Sequence, residues 1–141
     1  MDISLIYTEL QKEGFRLTRS RRAVIEAMAR AESCMRPEDV LLRAQESCPS
    51  LGLVTVYRTL RLLSELGHVR RVHFDNGCHG YAPSALTHGH HIICRNCQQV
   101  IEFPGSEAIG ALIAQVEGQT GFAVEDHLLE LMGLCPACRD S

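Results

Sequence analysis

Apolar residues in the first half of the chain recur at helical spacing and mark out four segments before any strand-like stretch begins. Residues 3–13 read as a short amphipathic helix that Gly14 ends. Thr18 is placed to cap a second helix running to about residue 31, with Ala23, Val24, Ala27 and Met28 on one face. Pro37 suits the first turn of a third helix over 38–47, where Glu38 and Asp39 meet the positive end of the helix dipole. After Cys48-Pro49-Ser50-Leu51-Gly52 comes a fourth helix, 53–66, closed by Gly67. Its Leu53, Val56, Leu60 and Leu63 should face the core, leaving Thr55, Arg58, Thr59 and Arg61 outward and Tyr57 near the edge.

Beyond Gly67 the pattern changes period. Residues 69–74 and 80–82 read as two short strands around Asp75-Asn76-Gly77, because Asn-Gly is a strong tight-turn signal. Helices followed by a two-stranded hairpin give the layout of a winged helix-turn-helix, in which the third helix of the core enters the major groove and nearby basic residues hold phosphates. The composition shifts again at Pro83-Ser84-Ala85-Leu86-Thr87. The chain therefore divides into a winged-helix DNA-binding domain over 1–83, a hinge over 84–87 and a second domain over 88–141. In the second domain 92–93 and 100–103 read as strands, 106–119 as a helix and 122–134 as a strand region. The fold class is α+β, without internal repeats or low-complexity tracts.

A formal charge of −3 argues against a nucleic-acid binder until it is resolved along the chain. Residues 1–80 carry twelve Lys and Arg against ten Asp and Glu, and residues 81–141 carry two against seven. Five arginines lie from Arg16 to Arg30, so a phosphate-binding surface belongs to the first half. No apolar run approaches the length of a membrane span and the N-terminus lacks the layout of a secretory signal, which makes the cytoplasm the expected location.

The seven cysteines and seven histidines fall mostly in the second half. Cys94-Arg95-Asn96-Cys97 and Cys135-Pro136-Ala137-Cys138 are two C-x2-C pairs separated by thirty-seven residues. Each knuckle can place two thiolates on one metal, and two knuckles complete a closed tetrahedral sulfur site that suits structural Zn2+. Reduced core cysteines and a thioredoxin-like redox pair are the alternatives, and the latter should open a helix after a strand. A hydrolytic zinc site would need an open ligand position and a general base, and no His-Glu-x-x-His or nucleophile motif appears. The chain is not expected to be an enzyme, nor to bind a small organic substrate or a membrane.

In the order and spacing of Gly14-Phe15-Arg16-Leu17-Thr18, Thr55-Val56-Tyr57-Arg58-Thr59-Leu60, His90-His91-Ile92-Ile93-Cys94-Arg95-Asn96-Cys97, Val100-Ile101-Glu102-Phe103 and Gly133-Leu134-Cys135-Pro136-Ala137-Cys138, the chain resembles the ferric uptake regulator family over nearly its whole length. The resemblance implies a metal-dependent repressor of metal-homeostasis genes that binds double-stranded operator DNA as a homodimer through a C-terminal α/β dimerisation domain. It also implies that Tyr57 touches bases, Arg58 contacts phosphates and Arg16 reaches into an adjacent minor groove, with Thr55 and Arg61 on the same face.

The family's sensing site joins the DNA-binding domain to the hinge, the histidine cluster and the following strand. Against the iron-type pattern this chain has Cys34 in place of a histidine before the third helix, Ala82 in place of an acid, and Gly89 in place of a histidine. His91 and Glu102 remain, so further ligands are expected from Cys78 and His79, with Cys34 and His68 as additional candidates. Thiolate with imidazole favours Zn2+ over Fe2+ or Mn2+, and sulfur near the hinge resembles the zinc-sensing members of the family. Iron sensing remains the alternative. His88, His90 and His127, with Glu107, are candidates for a second metal site. Cys34, Cys48 and Cys78 keep a peroxide or thiol switch open, and Cys48-Pro49 a haem-responsive regulator.

Overall fold

A computed structural model describes residues 1–74, 79–84, 89–105 and 107–140. Helix α1 (Ile3–Lys12) starts where the Asp2 carboxylate accepts from the Leu5 N–H, and α2 (Arg19–Ala29) where the Thr18 hydroxyl accepts from Arg21 N–H. Helices α3 (Pro37–Gln45) and α4 (Leu53–Glu65) complete a core in which Ile6, Leu10, Val24, Ile25, Met28, Val40, Val56, Leu60 and Leu63 are fully buried. Gly14 and Gly67 both adopt φ +80°, the left-handed conformation that ends α1 and α4 at the positions expected of them. Thr59 departs from expectation: it is 2% exposed rather than outward. It stands three residues after Val56 and four before Leu63, inside an apolar arc wider than the strict four-residue pattern.

Strand β1 (Val69–His73) pairs antiparallel with β2 (His79–Pro83), from Val69 opposite Pro83 to His73 opposite His79. This hairpin is the wing. Met35 joins it by exchanging backbone hydrogen bonds with Tyr81, at 2.9 and 2.8 Å. The pleat sorts the side chains. Val69 and Tyr81 enter the helical core, whereas Val72, Phe74 and Ala82 form a second apolar cluster with Ile93, rimmed by Cys34 and Val100.

Ile93 belongs to a separate three-stranded sheet of order β4-β3-β5. The central strand β3 (Gly89–Cys94) is antiparallel to β4 (Val100–Pro104) and parallel to β5 (Glu130–Gly133), and α5 (Glu107–Thr120) makes the crossover. β3 begins three residues before the expected 92–93, because His90 and His91 are covered on both faces and extend the buried strand. The expected strand region 122–134 contracts to β5, since only four residues find a partner on β3. A short helix α6 (Pro136–Arg139) closes the chain. Among the described residues no helix is long and apolar enough to cross a membrane. Of the expected hinge, 84–87, only Ser84 is described; its N–H donates to the His68 carbonyl at 2.9 Å.

Candidate metal centres and nucleic-acid interface

The two cysteine knuckles meet. Cys94 ends β3, Cys97 follows in a turn, Cys135 caps α6 and Cys138 lies within it, and all four sulfurs fall within 4.8 Å of one another. The first knuckle turns back through Gln98 at φ 62°, with Gln98 N–H donating to the Cys94 carbonyl and Cys94 N–H to the Gln99 carbonyl, both at 2.9 Å. A tetrahedral site with Zn–S bonds of about 2.3 Å needs sulfurs about 3.8 Å apart, and Cys97 Sγ stands 3.7 Å from Cys135 Sγ.

The electrostatics point the same way. The N–H groups of Cys97 and Cys135 pull the Cys94 thiol down to about 6, the latter donating to Cys94 Sγ at 3.3 Å. At Cys138 the Asn96 hydrogen bond works downward but is outweighed by Cys135, burial and the remaining sulfurs, so this thiol is pushed up to about 11. Four thiols this close cannot all ionise beside one another without a cation, and a divalent ion that prefers sulfur removes the conflict. The donor set fits structural zinc.

A second group of polar side chains lines the seam between the wing and the sheet. His91 is 3% exposed and lies opposite Glu102 on β4 and Glu130 on β5 in the strand register, with all three on the face towards the wing. Its buried Nε2 has no hydrogen-bond partner among the described residues. Burial lowers its affinity for a proton, so the ring is held in the neutral form that a metal requires. Cys34 approaches from the α2–α3 connection, and burial followed by the Glu130 carboxylate pushes its thiol up to about 12. Glu102 accepts from Ser84 Oγ at 2.8 Å and from Arg70 Nε at 3.3 Å.

Two other expected sensor residues, His79 and His68, lie elsewhere. His79 is on the helix side of the wing, its ring 6.4 Å from Tyr57 and 6.0 Å from Tyr81, because strand alternation sends it away from Ala82. His68 Nε2–H donates to Glu9 Oε2, 2.6 Å away, and ties α1 to the start of the wing. Cys78 falls outside the described residues. In exchange the structure brings in three residues that the sequence reading did not name: Arg70, His73 and Glu130. The Glu130 carboxylate accepts from His73 N–H at 3.3 Å and stands 3.5 Å from His73 Nδ1.

Of the second histidine group, His90 and His127 have ring centroids 5.2 Å apart, and His90 also packs on Phe103. They border a cleft of about 460 Å³ together with Arg70, His73 and Asp126. Glu107 is exposed at the start of α5, and His88 falls outside the described residues. Among the described residues only the four cysteines bring three or more ligand atoms within 4.8 Å of one another.

On α4, Tyr57 is 37% exposed, Arg58 is exposed, and Arg61 is exposed while pairing with Glu65 at 2.9 Å. Thr55 is half-buried. Tyr57, Arg58 and Arg61 share an open groove with Arg71 of the wing, a basic residue on the same surface that strand parity alone would have indicated. Arg16 is exposed before α2, and its carbonyl accepts from the Arg21 guanidinium. Cys48 is buried, its thiol 3.6 Å from the Ser20 hydroxyl, a contact that lowers its proton affinity.

A winged helix with a basic recognition-helix face, joined to a sheet that carries a four-sulfur metal site, defines a metal-linked DNA-binding regulator. The model of the ferric uptake regulator family matches residues 12–132, and the chain belongs to that family. The ferric uptake regulation protein of Campylobacter jejuni is 33% identical over 135 residues, covering 93% of this chain and 84% of that protein. The peroxide operon regulator of Bacillus subtilis is 30% identical over 131 residues, covering 92% and 88%. A zinc uptake regulator solved with zinc and DNA superposes with a TM-score of 0.79 at 26% identity, covering 98% of this chain and 93% of that one. The chain is thus a metal-responsive transcription regulator and not an enzyme. These relatives carry names for iron, peroxide and zinc, so the choice among signals falls to the residues.

Proposed function

We propose that the chain is a zinc-responsive repressor that binds operator DNA as a homodimer and silences zinc-uptake genes when a site in the seam is filled. The observation that carries this reading is the buried, neutral His91 imidazole, whose Nε2 lacks a partner among the described residues while the Cys34 sulfur stands on the same seam. Imidazole with sulfur favours zinc over harder ions. His91 and Cys34 would hold the ion, with Glu102 or Glu130 supplying oxygen and Cys78 a second sulfur; the ion contributes charge neutralisation and a link between the two domains. Because the ligands belong to both domains, filling the site fixes the wing and α4 relative to the sheet, and hence the spacing of two reading heads in a dimer.

The dimer reading rests on uncovered apolar surface. Ile101, Ile92 and Leu131 lie side by side across β4, β3 and β5, all exposed, and α5 has no buried side chain although Leu112 and Val116 are apolar. A second copy of the chain would cover both. On α4, Tyr57 would read base edges and Arg58 and Arg61 would hold phosphates, with Arg16 at the adjacent groove.

Two carboxylates flanking His91 make an oxygen-richer set, and this favours iron(II) sensing as the second reading. A mobility shift on zinc-uptake promoter DNA separates the two, using protein stripped of exchangeable metal and titrated with buffered zinc, iron(II) or manganese at fixed salt. Restoration by low free zinc alone is the expected result. Equal restoration by iron(II) overturns the zinc assignment, and release by mild peroxide rather than chelator would move the protein to the thiol-switch class.

A further inference from the structure

We propose that Arg70 is an internal counter-cation of the seam, whose guanidinium holds the Glu102 carboxylate so that a divalent ion taking Glu102 as a ligand must compete with its charge. The proposal rests on the sensor reading above for the ion and for Glu102 as one of its ligands; the contact between Arg70 and Glu102 is geometry.

Strand parity aims Arg70 at the seam: it shares a face with Val72 of β1 and with Phe74 just beyond, both packed towards Ile93, and pairs with Ala82. An arginine on that face needs an anion. Glu102 provides one, with Arg70 Nε at 3.3 Å and Ser84 Oγ at 2.8 Å on the same oxygen, Oε1. The carboxylate reaches this position by lying over Gly89, where a Cβ would stand 2.5 Å from Oε1. The side chain at 89 is thus missing where Glu102 needs the space.

A guanidinium cannot step aside by losing its proton, as a lysine or histidine can. Unless it moves, its charge stays beside the incoming ion, and the repulsion between two cations on one carboxylate weakens metal binding. Glu102 is the more enclosed partner, its side chain 14% exposed, and Arg70 at 28% has the route to solvent. Arg70 belongs to the wing and Glu102 to the sheet, so an ion that draws on the Glu102 charge acts on a tie between the two domains as it fills the site. Two consequences follow. Arg70 raises the free metal concentration needed for filling, and it makes filling and wing position mutually dependent.

The test is a zinc titration of the full chain, its four-cysteine zinc retained, against a chromophoric chelator, comparing wild type, Arg70→Ala, Arg70→Lys, Glu102→Gln and the double variant Arg70→Ala/Glu102→Gln. The exchangeable site of Arg70→Ala should fill at free zinc lower than wild type by at least about fivefold. Arg70→Lys should stay nearer wild type, and the double variant should lose the gain. Arg70→Gln takes the place of Arg70→Ala if circular dichroism shows the latter unfolded. Unchanged or weaker zinc binding by a folded neutral variant overturns the proposal, as does a gain that survives removal of the Glu102 charge. A wild-type protein whose DNA binding ignores every metal would overturn the sensor reading instead, and a site appearing only in Arg70→Ala would still uphold the role of Arg70.

Discussion

Gly80 lies where the wing packs against the α2–α3 connection. A Cβ there would stand 2.3 Å from Cys34 Sγ, 3.1 Å from the Met35 carbonyl oxygen and 3.2 Å from the Phe74 ring. The sulfur can swing away; the backbone carbonyl, held in the Met35–Tyr81 bridge, cannot. Gly80→Ala should therefore cost about 1–3 kcal/mol, the usual penalty of overpacking, read as a lower urea midpoint at unchanged slope. Gly80→Ala/Cys34→Ala should recover part of that loss, since it removes the shortest clash but leaves the carbonyl. No recovery would mean that Cys34 does not lie over Gly80. The same residue bears on the rival signals. A thiol pushed up to about 12 by burial and Glu130 is a poor nucleophile towards peroxide, which argues against Cys34 as a redox trigger.

At the scale of elements, α4 has a buried apolar face and an exposed face that carries Arg58 and Arg61, and the two make different predictions. Leu60 is fully buried, and Leu60→Ala should cost about 2–5 kcal/mol in chemical denaturation. Arg58 is exposed, and Arg58→Ala should leave stability nearly unchanged while weakening DNA binding about equally across sequences and lowering the salt slope by about 1. A sequence-dependent loss would instead make Arg58 a base reader. The helical spacing of Val56, Leu60 and Leu63 made this helix legible, and Gly14, Thr18 and Gly67 marked the end of α1, the start of α2 and the end of α4. Other features needed the partner strands. His79 looked like a ligand because it follows Cys78, but parity turns it towards Tyr57. Glu130 and His91 become neighbours only through a parallel register that no local pattern encodes. Some signal was present even so: Arg70 alternates with Val72 and Phe74, and Glu130 is the one acid in Leu128-Leu129-Glu130-Leu131-Met132. A charge on an apolar strand face must find a partner.

For the whole molecule, the two halves differ in how they are held together. The helices and wing enclose a continuous core from Ile6 to Tyr81. Beyond residue 88 the described hydrophobic residues that are buried are Ile93 and Cys94, and the exposed ones include Ile92, Ile101, Leu112, Val116, Leu128 and Leu131. So little buried apolar surface does not offset the entropy of ordering about fifty residues. The four-cysteine site supplies a cross-link between the β3 end and α6, and a partner copy would supply the missing cover. Zinc binding at such a site is folding free energy, so its removal should act on one half of the chain. Cys138→Ser, or stripping with a strong chelator, should leave residues 1–74 protected from limited proteolysis while the region after residue 88 is digested. Sedimentation should shift from dimer to monomer in the same sample. A stripped protein that remains an intact, protease-resistant dimer would show that the sheet and α5 hold themselves together, and would reduce the zinc site to a local clamp.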